Sequence, residues 1–134
     1  MFASYNIYPY FPASLQYGKY TAYIDDEGNR NPYRKYLMDL VDHHSCPVII
    51  TEYGVPASRS PAYKDVWRNL SQGGNNETEQ GIALLEMYED IQKAGCAGGM
   101  VFTWQDEWFK RSWNEKNLSN PDGRASWSNA QSIE

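Results

Sequence analysis

Several features that would indicate a function class are scarce or missing in this sequence. Its 134 residues include only two cysteines, Cys46 and Cys96, and these do not form a metal-binding motif. No apolar run approaches the roughly 20 residues needed to cross a bilayer, so we expect no membrane segment in this chain. Lysine and arginine number 12 against 17 acidic residues, and the net charge of −5 is not the basic footprint of a nucleic-acid partner. No Lys-Ser/Thr pair follows Gly73-Gly74, which is therefore a turn and not a phosphate loop.

Aromatic residues, in contrast, are abundant. They make up 15% of the chain, with 11 tyrosines and 5 tryptophans. Flat rings with polar tips suit the binding of sugars. The alternative is that the same rings fill a core and an interface, and composition alone leaves both interpretations open.

Periodicity and breaker residues divide the chain into alternating strands and helices. Asn31-Pro32 combines a helix N-cap with proline at the first helical position, and Asn76 and Glu79 have the spacing of a capping box. Val48, Ile49 and Ile50 are β-branched residues between Pro47 and Gly54, which is typical of a strand buried on both faces of a parallel sheet. The predicted elements are a strand over 2–8, a helix over about 32–44, a strand over 47–52, a short helical turn within 63–70, a helix over about 77–94 with an apolar stripe of Leu84, Leu85, Tyr88 and Ile91, and a strand over 97–104.

The main elements give the order β-α-β-α-β. Strands that alternate with helices predict a parallel sheet with right-handed crossovers. The long loops follow the strands, as they do at the functional end of α/β barrels. Tyr8, Glu52 and Trp104 should therefore lie side by side at the carboxyl ends of the three strands.

Three segments resemble the last three strands of the barrel in clan A retaining glycoside hydrolases, closest to glycoside hydrolase family 2. Asn6-Ile-Tyr8-Pro9 resembles the end of the sixth strand, Pro47-Val-Ile-Ile-Thr-Glu52-Tyr-Gly54 the seventh, and Phe102-Thr-Trp104-Gln-Asp106 the eighth. The resemblance implies an α/β fold, a partial (β/α)8 barrel over 1–114 with parallel strands that match the last three of a TIM barrel. A polar carboxyl-terminal tail follows over 115–134.

The resemblance also implies a carbohydrate substrate and the residues that bind it. Glu52 would be the nucleophile, Tyr8 its hydrogen-bond partner and Trp104 the platform for the reacting sugar, with a cis peptide bond expected at Trp104-Gln105. Neither a cofactor nor a metal is expected. The further substrate-binding candidates are Asn6, Asp106 and Trp108.

Each of these roles has a structural alternative. Glu52 is otherwise a carboxylate held by hydrogen bonds at a strand end, Asp106 part of a solvated loop, and Trp108 a cap on the barrel. A retaining glycosidase needs two carboxyl groups about 5–5.5 Å apart. The family places its acid/base Glu after an Asn on the fourth strand, and no such pair occurs at a matching place here.

We therefore expect a fragment of a retaining glycoside hydrolase that is inactive by itself. Three strands cannot close a barrel, and the outer strands would expose unpaired edges, so we also expect a homo-oligomer. The alternatives are a non-catalytic module that binds saccharide and a structural module that oligomerises. Cys46 and Cys96 each precede a strand at the opposite end of the sheet, where either a disulfide or two free thiols would fit.

Overall fold

The computed structural model describes residues 1–57, 63–64 and 70–105. A parallel sheet of three strands, in the order β1 (Ala3–Asn6), β2 (Val48–Tyr53) and β5 (Gly98–Val101), lies against two helices. This confirms the α/β class and the parallel pairing. A second, two-stranded antiparallel sheet pairs β3 with β4. The elements are β1 (Ala3–Asn6), a single 3-10 turn (Ala13–Gln16), α1 (Pro32–His43), β2 (Val48–Tyr53), β3 (Tyr63–Lys64), β4 (Ser71–Gln72), α2 (Glu77–Lys93) and β5 (Gly98–Val101).

Both helices begin where the sequence predicts. The Asn31 side chain accepts a hydrogen bond from the backbone N–H of Arg34, and Pro32 occupies the first helical position. At α2 the capping box is complete, because Asn76 Oδ1 accepts from Glu79 N at 3.0 Å and Glu79 Oε2 accepts from Asn76 N at 2.8 Å. These bonds satisfy backbone donors that have no partner within a helix, so they fix where each helix starts.

The helices cover one face of the sheet. Val48 and Ile50 of β2 point to that face and are buried, whereas Ile49 and Thr51 are half-buried. The expectation that this strand is buried on both faces is therefore wrong. The main core residues are Ile7, Tyr33, Leu37, Val48, Ile50, Tyr53, Met87 and Ile91.

The second face of the sheet, which we call the open face, is more exposed. Register and alternation assign it to Ser4 and Asn6 of β1, Ile49 and Thr51 of β2, and Met100 of β5. Ser4 and Asn6 are exposed, and Met100 retains 57% of its accessible surface. Parallel sheets are normally covered on both faces, so the open face is an unusual feature of this fold.

The buried stripe of α2 agrees with the predicted one only in part, at Ile91 and at the partly buried Leu84. It consists of Ala83, Met87, Asp90 and Ile91, whereas Leu85 is 67% exposed. Both sets have helical spacing, so the sequence pattern alone did not fix which one faces the core. A carboxylate lies in the buried stripe because a cation from α1 meets it there.

That cation is the guanidinium of Arg34, which is buried together with Asp90. Arg34 Nε donates to Asp90 Oδ1 at 2.7 Å, and Asn31 Nδ2 donates to the same oxygen at 2.8 Å. Arg34 also pairs with Asp26 and, at 3.1 Å, with Glu27. Burial opposes the charge of Arg34, but its hydrogen bond and attraction to Asp90 raise its pKa further above the ordinary value.

The same cluster fixes the loop that precedes α1. Asp25 Oδ1 accepts from the backbone N–H groups of Glu27 and Asn29, and Lys93 of α2 pairs with Asp26 and Glu27. The loop is therefore attached to both helices through charged side chains. We call this set the ion cluster; its members are Asp25, Asp26, Glu27, Asn31, Arg34, Asp90 and Lys93.

The segments between the main elements depart from two predictions. Tyr63–Lys64 forms a strand and not part of a helical turn. In the part of the chain that the structure describes, a non-proline cis peptide bond occurs at Phe102-Thr103, two residues before the expected Trp104-Gln105. The predicted tail over 115–134 lies outside the described residues.

Candidate functional site

Glu52 and Tyr8 meet at the carboxyl ends of β1 and β2. The backbone N–H of Ile7 donates to the carbonyl of Glu52 at 3.0 Å, which extends the pairing of the two strands by one bond. Tyr8 follows directly, and its Oη donates to Glu52 Oε2 at 2.7 Å. The hydrogen bond that the resemblance implies is therefore present. The bond holds one of the two carboxylate oxygens of Glu52.

A bulge in β2 directs Glu52 to this position. Along β1 the register runs from Tyr5 opposite Ile50 to Asn6 opposite Glu52, so one residue of β2, Thr51, is extra. Pairing with β5 shows the same excess between Ile50 and Tyr53. Such an insertion re-aims the side chains that follow it. Here Tyr53 returns to the buried face, although it lies three residues after Ile50.

Asn6 is tied to the bulge by its side chain. Thr51 Oγ1 donates to Asn6 Oδ1 at 2.9 Å. Asn6 is exposed and lies opposite Glu52 in the strand register. The predicted substrate-binding residue is therefore beside the carboxylate, and its amide oxygen is held by the residue before Glu52.

A tight turn carries Tyr8. The backbone of Tyr8 exchanges two hydrogen bonds with Phe11, each 3.1 Å long. The rings of Tyr8 and Tyr10 are stacked, with centroids 5.6 Å apart and planes inclined by 17°. Tyr10 is 8% exposed, and burial raises the pKa of its hydroxyl above the ordinary value. The ring of Tyr8, whose hydroxyl donates to Glu52, thus lies against a buried aromatic residue.

Just beyond Glu52 the chain approaches β5 closely. Phe102 N donates to the carbonyl of Tyr53 at 2.8 Å. A Cβ atom at Gly54 would lie 2.5 Å from the carbonyl oxygen of Phe102, and Gly54 has a φ of 154°. Only glycine fits this position without a shift of the backbone.

Trp104 is at the same end of the sheet but is not packed against the site. It follows β5 and is 97% exposed. Asp106 and Trp108 lie outside the described residues. The structure therefore brings together three of the predicted site residues, Asn6, Tyr8 and Glu52.

Two further observations concern possible metal ligands and membrane-spanning helices. Within residues 1–57, 63–64 and 70–105 there is no group of three or more His, Cys, Asp or Glu side chains that could hold a metal ion. In the same ranges, neither helix has the length and apolar character needed to span a membrane. The chemical groups at the site are thus a carboxylate, a phenol and an amide.

Sequence reasoning missed three residues that shape the site: Tyr10, Thr51 and Gly54. Gly54 had a sequence signal, because it directly follows the Glu-Tyr pair at a strand end. Tyr10 was one aromatic residue among many in its loop. The role of Thr51 arises from the strand register, which periodicity does not reveal.

Comparisons with known proteins found no matching family model, no matching curated protein and no matching solved structure.

Proposed function

We propose that this chain is the nucleophile-bearing part of a retaining glycoside hydrolase and that Glu52 is the nucleophile. The observation that carries the proposal is the 2.7 Å hydrogen bond from Tyr8 Oη to Glu52 Oε2 at the carboxyl ends of two parallel strands. A nucleophilic carboxylate must be oriented toward the anomeric carbon, and a phenol donor on the adjacent chain segment helps to hold it.

The proposed reaction has two steps. A carboxylate oxygen of Glu52 attacks the anomeric carbon of the sugar, the bond to the leaving-group oxygen breaks, and a general acid protonates that oxygen. Water, deprotonated by the same group, then attacks the anomeric carbon and releases Glu52. The hydrogen bond from Tyr8 helps to hold the carboxylate in both steps.

The remaining candidates take substrate-binding roles in this proposal. Asn6, which lies opposite Glu52 in the strand register, is proposed to contact a sugar hydroxyl. Trp104 offers a solvent-exposed ring on which a pyranose can stack. Asp106 and Trp108 are proposed as further sugar contacts. The acid/base carboxyl is not identified in this chain, so we expect no turnover of unactivated glycosides by the isolated chain.

The test is covalent labelling with 2-deoxy-2-fluoro glycosides that carry activated leaving groups, which depart without an acid catalyst. A panel of gluco-, galacto- and manno-configured reagents is incubated with the chain and with any longer protein that contains it. We expect one adduct, located on Glu52 by peptide mass spectrometry. The Glu52→Gln variant should show none, and the exposed-residue control Glu77→Gln should label like the parent. Labelling of a longer protein at another residue would refute the assignment.

A second proposal concerns self-association. We propose that the chain forms a homo-oligomer through β1 and β5, the outer strands of the three-stranded sheet. Within the described residues, the outer edges of β1 and β5 pair with no further strand, and these edges and the open face favour pairing with another copy. A structural module of this kind is the alternative to the glycosidase proposal. A further alternative, saccharide binding without catalysis, would be favoured if sugars bound to a longer protein that is never labelled.

Analytical ultracentrifugation tests the self-association. We expect the average mass to rise from one copy toward two or more between about 1 and 100 μM, because association follows mass action. Met100→Lys places a charge on the open face and should lower the mass. Gln92→Lys, on an exposed position of α2, is the control. A single-copy mass at the highest concentration would contradict this proposal.

A further inference from the structure

We infer that Tyr10 is a positioning residue that holds the Tyr8 hydroxyl on Glu52. The catalytic consequence of this role rests on the proposed function, whereas the contacts between Tyr10, Tyr8 and Glu52 are present whatever the function is. Tyr10 stacks on the ring of Tyr8, and Tyr8 makes the hydrogen bond to Glu52, so Tyr10 acts on Glu52 through the ring of Tyr8.

Tyr8 has a side chain that can rotate unless its neighbours hold it. It is half-buried, and a tyrosine side chain has two rotatable bonds before its hydroxyl. A hydrogen bond at the far end of such a side chain is made only while the ring keeps its orientation. The ring of Tyr10 stacks on that of Tyr8 with centroids 5.6 Å apart, and this contact restricts the orientation of the Tyr8 ring. Aromatic pairs of this type add attraction beyond their buried area.

Tyr10 is itself held in place. It is 8% exposed and belongs to the core. The turn that contains it is closed by the two bonds between Tyr8 and Phe11. Its orientation is therefore set by the core, unlike that of Tyr8, which faces the site.

Two side chains hold the backbone of the residues before and after Tyr8 by hydrogen bonds to their carbonyl groups. Gln16 Nε2 donates to the carbonyl of Pro9 at 3.0 Å. Tyr33 Oη, from α1, donates to the carbonyl of Ile7 at 3.2 Å, and Tyr33 is fully buried. The backbone on both sides of Tyr8 is thus anchored to the 3-10 turn and to α1, while its ring is anchored by Tyr10.

Three variants separate the ring of Tyr10 from its hydroxyl and its bulk. Tyr10→Phe keeps the ring and removes the hydroxyl. Tyr10→Met fills much of the volume with a flexible side chain but offers no flat surface. Tyr8→Phe removes the hydroxyl donor of Glu52 directly and identifies the Tyr8 signal in spectra of the chain.

The first measurement is NMR of the chain labelled with ¹³C at tyrosine Cζ, in mixed H₂O and D₂O. A hydroxyl that is held in a hydrogen bond exchanges slowly and gives two resolved Cζ signals. We expect two signals for Tyr8 in the parent and in Tyr10→Phe, and one averaged signal in Tyr10→Met. Two unchanged signals in a folded Tyr10→Met variant would overturn the inference.

If Tyr10→Met does not fold, Tyr10→Leu replaces it, because leucine is also apolar, is smaller and offers no flat ring to Tyr8. Faster exchange of the Tyr8 hydroxyl would then support the inference, and parent-like exchange would oppose it.

The second measurement is the rate of Glu52 labelling by the fluoro glycoside in a longer protein. Loss of one preorganised donor costs about 10²-fold in rate in comparable sites, so we expect about that loss in Tyr8→Phe. Tyr10→Met should lose at least about tenfold in the maximal labelling rate with little change in the half-saturating concentration. Tyr10→Phe should stay within about twofold. Equal rates in Tyr10→Met and the parent would overturn the inference.

The two measurements distinguish the inference from the function on which it rests. If Glu52 is never labelled but Tyr10→Met releases the Tyr8 hydroxyl, the positioning role stands and the glycosidase proposal fails. If Glu52 is labelled at the same rate in all Tyr10 variants, the glycosidase proposal stands and the positioning role fails.

Discussion

Loss of one side chain from the ion pair between Arg34 and Asp90 should have a large effect on stability. Arg34 is 5% exposed and Asp90 1% exposed, so removal of either partner leaves a buried charge with fewer contacts. We expect Asp90→Ala to lower the free energy of unfolding by about 3 kcal/mol. Urea unfolding followed by far-ultraviolet circular dichroism, which reports the loss of the two helices, measures the change.

The control for this prediction is Asp39→Ala. Asp39 also lies on a helix and pairs with two lysines, Lys19 and Lys35, but these pairs are at the surface. Surface pairs contribute little, so the loss should be below about 1 kcal/mol. Equal losses in the two variants would mean that the burial of the Asp90 pair is not what stabilises it.

The thiol of Cys96 offers a second test at the scale of one residue. Cys46 and Cys96 are both free, which decides between the two alternatives that the sequence left open. Burial raises the pKa of the Cys96 thiol to about 11. At pH 8 roughly one molecule in a thousand then carries the reactive thiolate at this position.

We therefore expect a thiol reagent at pH 8 to modify Cys96 far more slowly in the native chain than in denaturant. The Cys96→Ser variant identifies the contribution of Cys46 to the native rate. In denaturant the parent should release two equivalents of chromophore. A single native phase at the denatured rate would contradict the burial of Cys96.

At the scale of elements, we expect the replacement of two glycines by alanine to change stability in opposite directions. Gly54 joins the end of β2 to the close approach of Phe102, where a Cβ atom would clash at 2.5 Å. Gly81 lies inside α2, has no atom within 4 Å of its Cβ position and has an ordinary helical backbone. The same substitution should thus have opposite effects at the two positions.

Gly54→Ala should destabilise the chain by about 1–3 kcal/mol, because the backbone must shift to relieve the overlap. Gly81→Ala should stabilise it by about 0.5–1 kcal/mol, since alanine loses less entropy in a helix. Thermal unfolding of both variants checks the two signs. A neutral Gly54→Ala variant would show that the approach of β2 and Phe102 is not tight.

For the molecule as a whole, the lowered pKa values of Asp25, Asp26 and Asp39 predict instability in acid. The bond of Asp26 to its own backbone N–H, with those from Lys93 and Arg34, lowers its pKa to about 2. Burial opposes the charge of Asp25, but its bonds with Asn29 and Asn31 outweigh this and lower its pKa. At Asp39 the bonds from Lys19 and then Lys35 lower the pKa.

Since these pKa values are depressed in the folded chain, the unfolded chain binds more protons below about pH 4. The stabilisation is complete above that pH and is lost as the pH falls toward 2. We expect the urea midpoint to be level between about pH 5 and 7 and to fall below pH 4. The triple variant with Asn at Asp25, Asp26 and Asp39 should fall less steeply, and an equal slope would contradict the assignment.

The sequence predicted those parts of the fold that depend on neighbours along the chain. The helix starts at Asn31 and Asn76 rest on bonds that span three residues, so the residue types alone reveal them. The alternation of strands and helices likewise sufficed for a parallel sheet. Glu52 was found because a β-branched run ends on it.

Only the tertiary structure decided which side chains meet. The bulge at Thr51, the stack of Tyr8 on Tyr10 and the buried Asp90 each depend on residues that pack from other parts of the fold. The same holds for Trp104, whose exposure no local pattern predicts. Local hydrogen bonds fix where elements begin, whereas register and packing are set by contacts between distant segments, and those contacts give Glu52 its surroundings.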